Sequence, residues 1–386
     1  MFGFGRLASY DYFVHVERSL SDRLRAAGDD VEIHVAQLSP TASIRRRAMA
    51  LGQLVAATCD PATPSAGPIH LVGHSTGGLD ARLLGSPSVS LAVAPDALAW
   101  RPRLASVTMI NTPHFGTPLA SFFTTASGGR VLRALSVLTY IALSLGSPPL
   151  AAVSALVLAF GRVDHALGLD LKMLDRATDA FLRVIDSARS GEVREYVNAM
   201  TKDQGAMVQL MPEAMDLFAA GIEDCPRVLY QSTISMAPPP SPRVFLRGLL
   251  RPWSALSGVL FATLHGISSR TDERYPCAAM TPSEDSEKVL VSAFERAPGT
   301  RANDGVVPIR SQMWGKVVWA GYADHLDVLG HFRDAAPRKD AREVRAAVEP
   351  HVDWLYSGSN FGREQFASLM DAIAGGLVSS GRSLRA

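Results

Sequence analysis

Hydrophobic positions in the first third of the chain switch repeatedly between two periods. Tyr12 to Ala27 has helical spacing and stops at Gly28, a residue suited to a helix C-terminus. Val31-Glu32-Ile33-His34-Val35 alternates and predicts a strand. Ser43 to Thr58 reads as a helix with an apolar face at Ile44, Met49, Leu51, Leu54 and Val55. After a Pro/Gly/Ser loop over Asp60 to Pro68, Ile69 to Val72 is a short apolar strand, Thr76 to Leu84 a helix and Leu104 to Ile110 another strand. Strands alternating with helices predict an α/β protein whose parallel sheet is linked by crossover helices.

Beyond Leu119 the pattern becomes almost wholly helical as far as Met200. Strand character returns at Val228 to Ser235 and at Val317 to Ala320. Ala237 to Pro242 is a proline-rich connector, and helices are predicted over Leu246 to Leu264, Glu284 to Phe294, Arg342 to Tyr356 and Arg363 to Gly376. The expected organisation is one catalytic core interrupted by an inserted block. Residues 1–118 and 227–386 form the core and 119–226 a helical lid or cap.

Within that block, Ala134 to Gly161 contains no charged residue and is long enough to cross a bilayer. Gly146-Ser147-Pro148-Pro149 divides it, and proline breaks the helical ladder, so two short apolar helices are expected rather than a stable transmembrane span. Such a pair suits a lid that opens onto a lipid surface, or equally a cap with its own core.

The chain has 386 residues, 47% of them hydrophobic, enough for a large core. Thirty-eight basic and 37 acidic residues leave a net charge of +1 without a basic stripe, which removes the electrostatic case for nucleic acid. The densest basic run, Arg45-Arg46-Arg47, reads as a solvated helix face. Cys59, Cys225 and Cys277 show no C-x-x-C spacing, so zinc and dithiol chemistry are not indicated. Met1 to Asp30 carries no secretory signal pattern, which reads as cytoplasmic for the sequence as it stands.

Chemistry concentrates at Gly73-His74-Ser75-Thr76-Gly77-Gly78, which fits G-x-S-x-G between an apolar strand and a helix. There the serine hydroxyl would project from a strained turn, with Gly73 and Gly77 allowing strand and helix to approach. The N–H of Thr76, at the helix N-terminus, would face a developing oxyanion. Serine alone is a poor nucleophile and needs a base held by an acid. In the order Ser, acid, His, the candidates are Asp304, in the turn Asn303-Asp304-Gly305, and His325, after the last core strand. Their plainer readings are an Asx-turn residue and a surface histidine.

Taken together, Gly-His-Ser-Thr-Gly-Gly, Asn-Thr-Pro-His-Phe-Gly-Thr at 111–117, Asn-Asp-Gly-Val-Val-Pro at 303–308 and Asp324-His325-Leu326-Asp327 resemble the bacterial triacylglycerol lipases of the Pseudomonas and Burkholderia type. The resemblance implies an α/β-hydrolase fold and a Ser75–Asp304–His325 triad. It also implies oxyanion contributions from Met1 and His74 beside Thr76, and substrate contacts from Phe2, His114 and Phe115. Met1-Phe2-Gly3-Phe4 is similar to the tail of that family's oxyanion motif, so the first central strand is expected to be missing from the sheet, and a signal peptide ahead of it would make the protein secreted. A structural calcium is implied at Asp327, with Glu284 or Asp285 as a further ligand; no cofactor is needed for the chemistry. The expected partner is an ester or lipid substrate, with transient contact to a lipid interface. An acyltransferase, phospholipase or polyester depolymerase on the same triad, or an inactive binding scaffold, are the alternatives.

Overall fold

In the computed structural model the residues described are 6–7, 10–39, 41–59, 67–93, 95–125, 128–132, 203–241, 252–270, 282–333, 351 and 353–385. The apolar pair at 134–160, Met1, Phe2 and Cys277 lie outside them.

A two-residue hairpin, β1 (Arg6–Leu7) with β2 (Tyr10–Asp11), leads into α1 (Val14–Ala26), and Gly28 follows with φ +89. Next comes α2 (Ile44–Thr58), begun by the Ser43 hydroxyl accepting from the Arg46 N–H. β3 (Ile69–His74), α3 (Thr76–Gly85) and β4 (Leu104–Ile110) form one strand–helix–strand unit. Short helices follow: α4 (Pro118–Phe123), α5 (Gly205–Gln209) and α6 (Pro212–Ala220). β5 (Leu229–Met236), α7 (Pro252–Ser268), α8 (Glu284–Phe294), the single turn α9 (Ile309–Gln312), β6 (Lys316–Tyr322) and α10 (Arg363–Arg385) complete the described strands and α-helices.

The sheet runs β3-β4-β5-β6, parallel throughout. Alternate side chains point to opposite faces. Leu71, Val107, Met109 and Tyr230 pack with α2 and α3 in one core. Val72 and Ile110 join the core that contains α1 and α10. A third cluster holds Leu290 and Phe294 of α8 against Ile234 and Val317. Helices therefore cover both faces, as in an α/β-hydrolase fold.

Four expectations are corrected. Val31 to Val35 forms no strand, although its exposure alternates along the chain. Residues 353–362 are irregular, so no helix reaches Tyr356. α10 continues through Gly375-Gly376 to Arg385, because a Cβ on Gly376 would strike the Gln231 side chain and the glycine lets the helix press onto the sheet. Arg47 does not belong to a solvated face: it is buried and donates to Asp80 Oδ2 at 2.7 and 2.9 Å. Burial pushes the Asp80 carboxyl up to about 6 despite that partner. No helix among the described residues is long and apolar enough to cross a membrane.

Candidate active site

At the C-terminal end of β3 the chain turns sharply into α3 through Ser75, whose φ of 54° and ψ of −126° are strained for a residue with a side chain. Two bonds hold the turn. The Ser75 N–H donates to the Ile110 carbonyl at 2.9 Å, and the Gly78 N–H to the Ser75 carbonyl at 3.1 Å. Glycine is required at Gly73 and Gly78. A Cβ on the first would run into the Gly77–Gly78 backbone, and one on the second into Thr112. At Gly77 an added Cβ meets nothing, so close approach belongs to Gly78 rather than Gly77. Thr76, expected as an oxyanion donor, is the first residue of α3, where an N–H has no acceptor within the helix.

Asp304 and His325 come together in the interior. Their bond, Nδ1 of His325 to Oδ2 of Asp304, is 2.7 Å long, and the two side chains are 1% and 0% exposed. The His325 N–H also donates to the Asp304 carbonyl at 2.9 Å. Both readings of Asp304 hold at once: Oδ1 accepts from the Val306 and Val307 N–H groups as a turn residue would, while Oδ2 faces the histidine. Asn111, at φ 48, donates from Nδ2 to the same Oδ2 at 3.1 Å and to Ser235 Oγ at 2.5 Å. The motif at 111–117 contains Asn111, but nothing in its spacing marks that residue as the clamp on the acid. Since a carboxylate only accepts, His325 donates from Nδ1, and in the neutral ring Nε2 carries the lone pair. That Nε2 is buried and has no hydrogen-bond partner among the described residues.

His74 links the two halves of the site. Its Nε2 lies 2.8 Å from the His325 carbonyl, which can only accept, so Nε2 bears the proton. Nδ1 then accepts from the Tyr12 hydroxyl at 3.2 Å. Desolvation, with His325 nearby, holds the imidazole well below its ordinary pKa, so the ring is a neutral brace. Its own ring sits 4.6 Å from that of His325. A run of ring contacts continues from His74 through Tyr12, His331 and His15 to His351. His331 Nε2 donates to the Tyr12 carbonyl at 3.1 Å, and burial lowers its pKa to about 3. Both ring nitrogens of His74 are thus engaged within the site.

The remaining candidates fall elsewhere. His114 is fully buried against Trp314; among the described residues neither ring nitrogen has a hydrogen-bond partner, and desolvation with Arg82 keeps it well below its ordinary pKa. Phe115 is half-buried, also against Trp314. The Arg82 guanidinium lies 3.2 Å over that indole ring, which donates to Asp224. Asp327 is buried, with Oδ2 accepting from the Asp324 N–H and from Ser359 Oγ. Burial pushes its carboxyl well above the usual range and that of Asp324 up to about 7. Glu284 and Asp285 lie on the exposed first turn of α8 beside Lys288. No group of three or more His, Cys, Asp or Glu suited to a metal occurs among the described residues. Cys59 and Cys225 are free thiols.

No family model matches the sequence, and no curated protein does. Solved structures with similarity include EstA from Clostridium botulinum, at 18% identity and TM-score 0.48 over 96% of this chain and 85% of that one. The Staphylococcus hyicus lipase follows at 16% identity and TM-score 0.45, over 94% and 89%. Lipase 1 from Pelosinus fermentans gives 16% and 0.42, over 84% and 87%.

Proposed function

We propose that this protein is a serine hydrolase of carboxylic esters, of lipase or esterase type. The observation that carries the reading is the buried Asp304–His325 pair, held through His74 beside the strained turn that bears Ser75. Ser75 attacks the ester carbonyl while Nε2 of His325 takes its proton. Asp304 fixes the tautomer and stabilises the imidazolium that forms. The protonated His325 then returns the proton to the departing alcohol, leaving an acyl-serine. Water repeats the sequence and releases the acid. The N–H of Thr76 at the start of α3 stabilises the tetrahedral oxyanion, and losing such a donor costs about two to three orders of magnitude in rate. No step requires a cofactor. Ser75 is itself buried, at 4% exposed.

Hydrolysis of p-nitrophenyl esters of short and long chains, with and without an alcohol acceptor, tests the reading. Turnover that Ser75→Ala abolishes is expected. Products carrying the acceptor alcohol would redirect the reading to an acyltransferase on the same residues. Absence of any turnover by folded protein, under every condition, would leave the hydrolase scaffold without its chemistry.

A further inference from the structure

Asn111 stands one strand over from the nucleophile. β3 and β4 pair to their ends, His74 with Ile110, so Ser75 and Asn111 are the first residues past two neighbouring strands. Both leave the sheet with positive φ, 54° and 48°. The peptide between Ile110 and Asn111 is gripped from both sides. Its carbonyl accepts from the Ser75 N–H at 2.9 Å, and its N–H donates to the Thr233 carbonyl of β5 at 3.2 Å. The backbone of Asn111 is thereby tied to the turn that bears the nucleophile.

The side chain is tied to the acid. A carboxylate only accepts, so the NH2 group of Asn111 faces Asp304. Its two protons go to Asp304 Oδ2 at 3.1 Å and to Ser235 Oγ at 2.5 Å. Ser235 is anchored in turn. Its N–H donates to Gln312 Oε1 at 2.8 Å, and Gln312 Nε2 donates to the Ser235 and Val307 carbonyls at 3.1 and 3.0 Å. Asn111, Ser235, Gln312 and Asp304 are all fully buried, which holds the amide at a fixed place between β5 and the loop of the acid. Oδ1 of Asp304 is committed to the Val306 and Val307 N–H groups of its own loop. The donors on Oδ2 are His325, which the acid must orient, and Asn111, which reaches it from the sheet. A neutral dipole already aimed at a buried anion need not reorganise when the imidazolium forms.

We propose that Asn111 is a positioning residue of the triad: its amide aims Oδ2 of Asp304 at His325 and sets the acid against the Ser75 turn, to which its own backbone is bonded. The inference rests on the hydrolase reading and deepens it. Asn111 acts through Asp304, in the transition state, where the imidazolium needs an ionised and correctly aimed carboxylate, and it leaves binding of the ester unaltered. Glycine accepts a φ of 48° without strain, so Asn111→Gly removes the amide and keeps the backbone.

Losing a hydrogen bond to a charged group corresponds to about 10- to 100-fold in rate. On p-nitrophenyl butyrate, kcat of Asn111→Gly is expected to fall by that factor, with KM within about twofold of the parent. In an Asp304→Asn background the amide has no carboxylate to hold, so the same substitution should change kcat by less than about twofold. Urea midpoints should move in opposite directions: Asn111→Gly lowers that of the parent and raises that of Asp304→Asn, where it removes a donor facing a donor. A role in the fold alone would cost the same in both backgrounds. If the glycine variant does not fold, Asn111→Asp takes its place, since aspartate has the same shape and tolerates left-handed backbone. It repels Asp304 but accepts from the amide of Asp304→Asn, so the double exchange should be more stable than either single variant. Folded Asn111→Gly with the parental kcat, an equal loss in both backgrounds, or a double exchange no more stable than the single variants overturns the proposal while the hydrolase reading stands. A folded parent without turnover overturns the hydrolase reading, and the positioning role with it.

Discussion

Replacing Asp304 with asparagine tests the heart of the site with little change of shape. Oδ1 of Asp304 accepts from the Val306 and Val307 N–H groups at 2.9 and 2.7 Å. The asparagine carbonyl can keep both bonds, so the turn survives. Its NH2 group then stands where Oδ2 met two donors, Nδ1 of His325 and Nδ2 of Asn111. Against Asn111, donor faces donor, which costs about 1–3 kcal/mol of stability. Against His325, the imidazole escapes the clash by moving its proton from Nδ1 to Nε2. Nδ1 then accepts from the amide, and the lone pair that should receive the Ser75 proton is gone. The expected loss is about 10⁴-fold in kcat, or about 5.5 kcal/mol of transition-state stabilisation at 1.36 kcal/mol per factor of ten. KM should change little, because the bound ester does not touch Asp304. Steady-state kinetics on p-nitrophenyl butyrate, with urea unfolding to confirm a folded variant, measures both effects. A folded Asp304→Asn protein within tenfold of the parent kcat would refute the assigned roles of Asp304 and His325 together.

Two further outcomes follow from packing and burial. His331 is wholly buried with its pKa lowered to about 3, against 6.5 when unfolded. Its contribution is therefore intact above pH 6.5 and is lost as pH falls, since only the unfolded state takes the proton. The limiting slope is about 1.4 kcal/mol per pH unit, so His331→Gln should flatten the decline in urea stability between pH 6 and pH 4; an unchanged slope would contradict the burial argument. The glycines of α10 should respond with opposite signs. Gly375→Ala, which meets open space, should stabilise by up to about 1 kcal/mol through helix propensity. Gly376→Ala, which strikes Gln231, should destabilise by about 1–3 kcal/mol. Thermal melts that rank the two alike would show that α10 does not press on Gln231.

Much of the fold was legible because periodicity and local chemistry agreed. β3, β4 and α8 fall where apolar spacing puts them, and Ser43 and Ser283 cap the helices they precede. Ser75 was legible because a strained turn between strand and helix leaves few residue choices around it. What stayed hidden depends on partners far away in sequence. Val31–Val35 has the alternation of a strand, but a ladder requires a neighbour. Arg47 looks solvated within an arginine run because Asp80, its partner, sits 33 positions later. His74 fills a variable position of G-x-S-x-G, and the two hydrogen bonds of its side chain reach 62 residues back and 251 residues forward. The glycine pair in α10 looks like a helix end until the sheet beneath it is known. His114 lies in a turn-rich motif, and its packing against Trp314 joins residues far apart in the chain.

The most direct measurement is the site and rate of covalent labelling by a fluorophosphonate, which captures only an activated nucleophile. Intact mass and peptide mapping should find a single adduct on Ser75, absent from Ser75→Ala and slowed about 10³-fold or more in His325→Ala. Folded protein that takes up no label, or takes it on another residue while Ser75 stays free, would contradict the account.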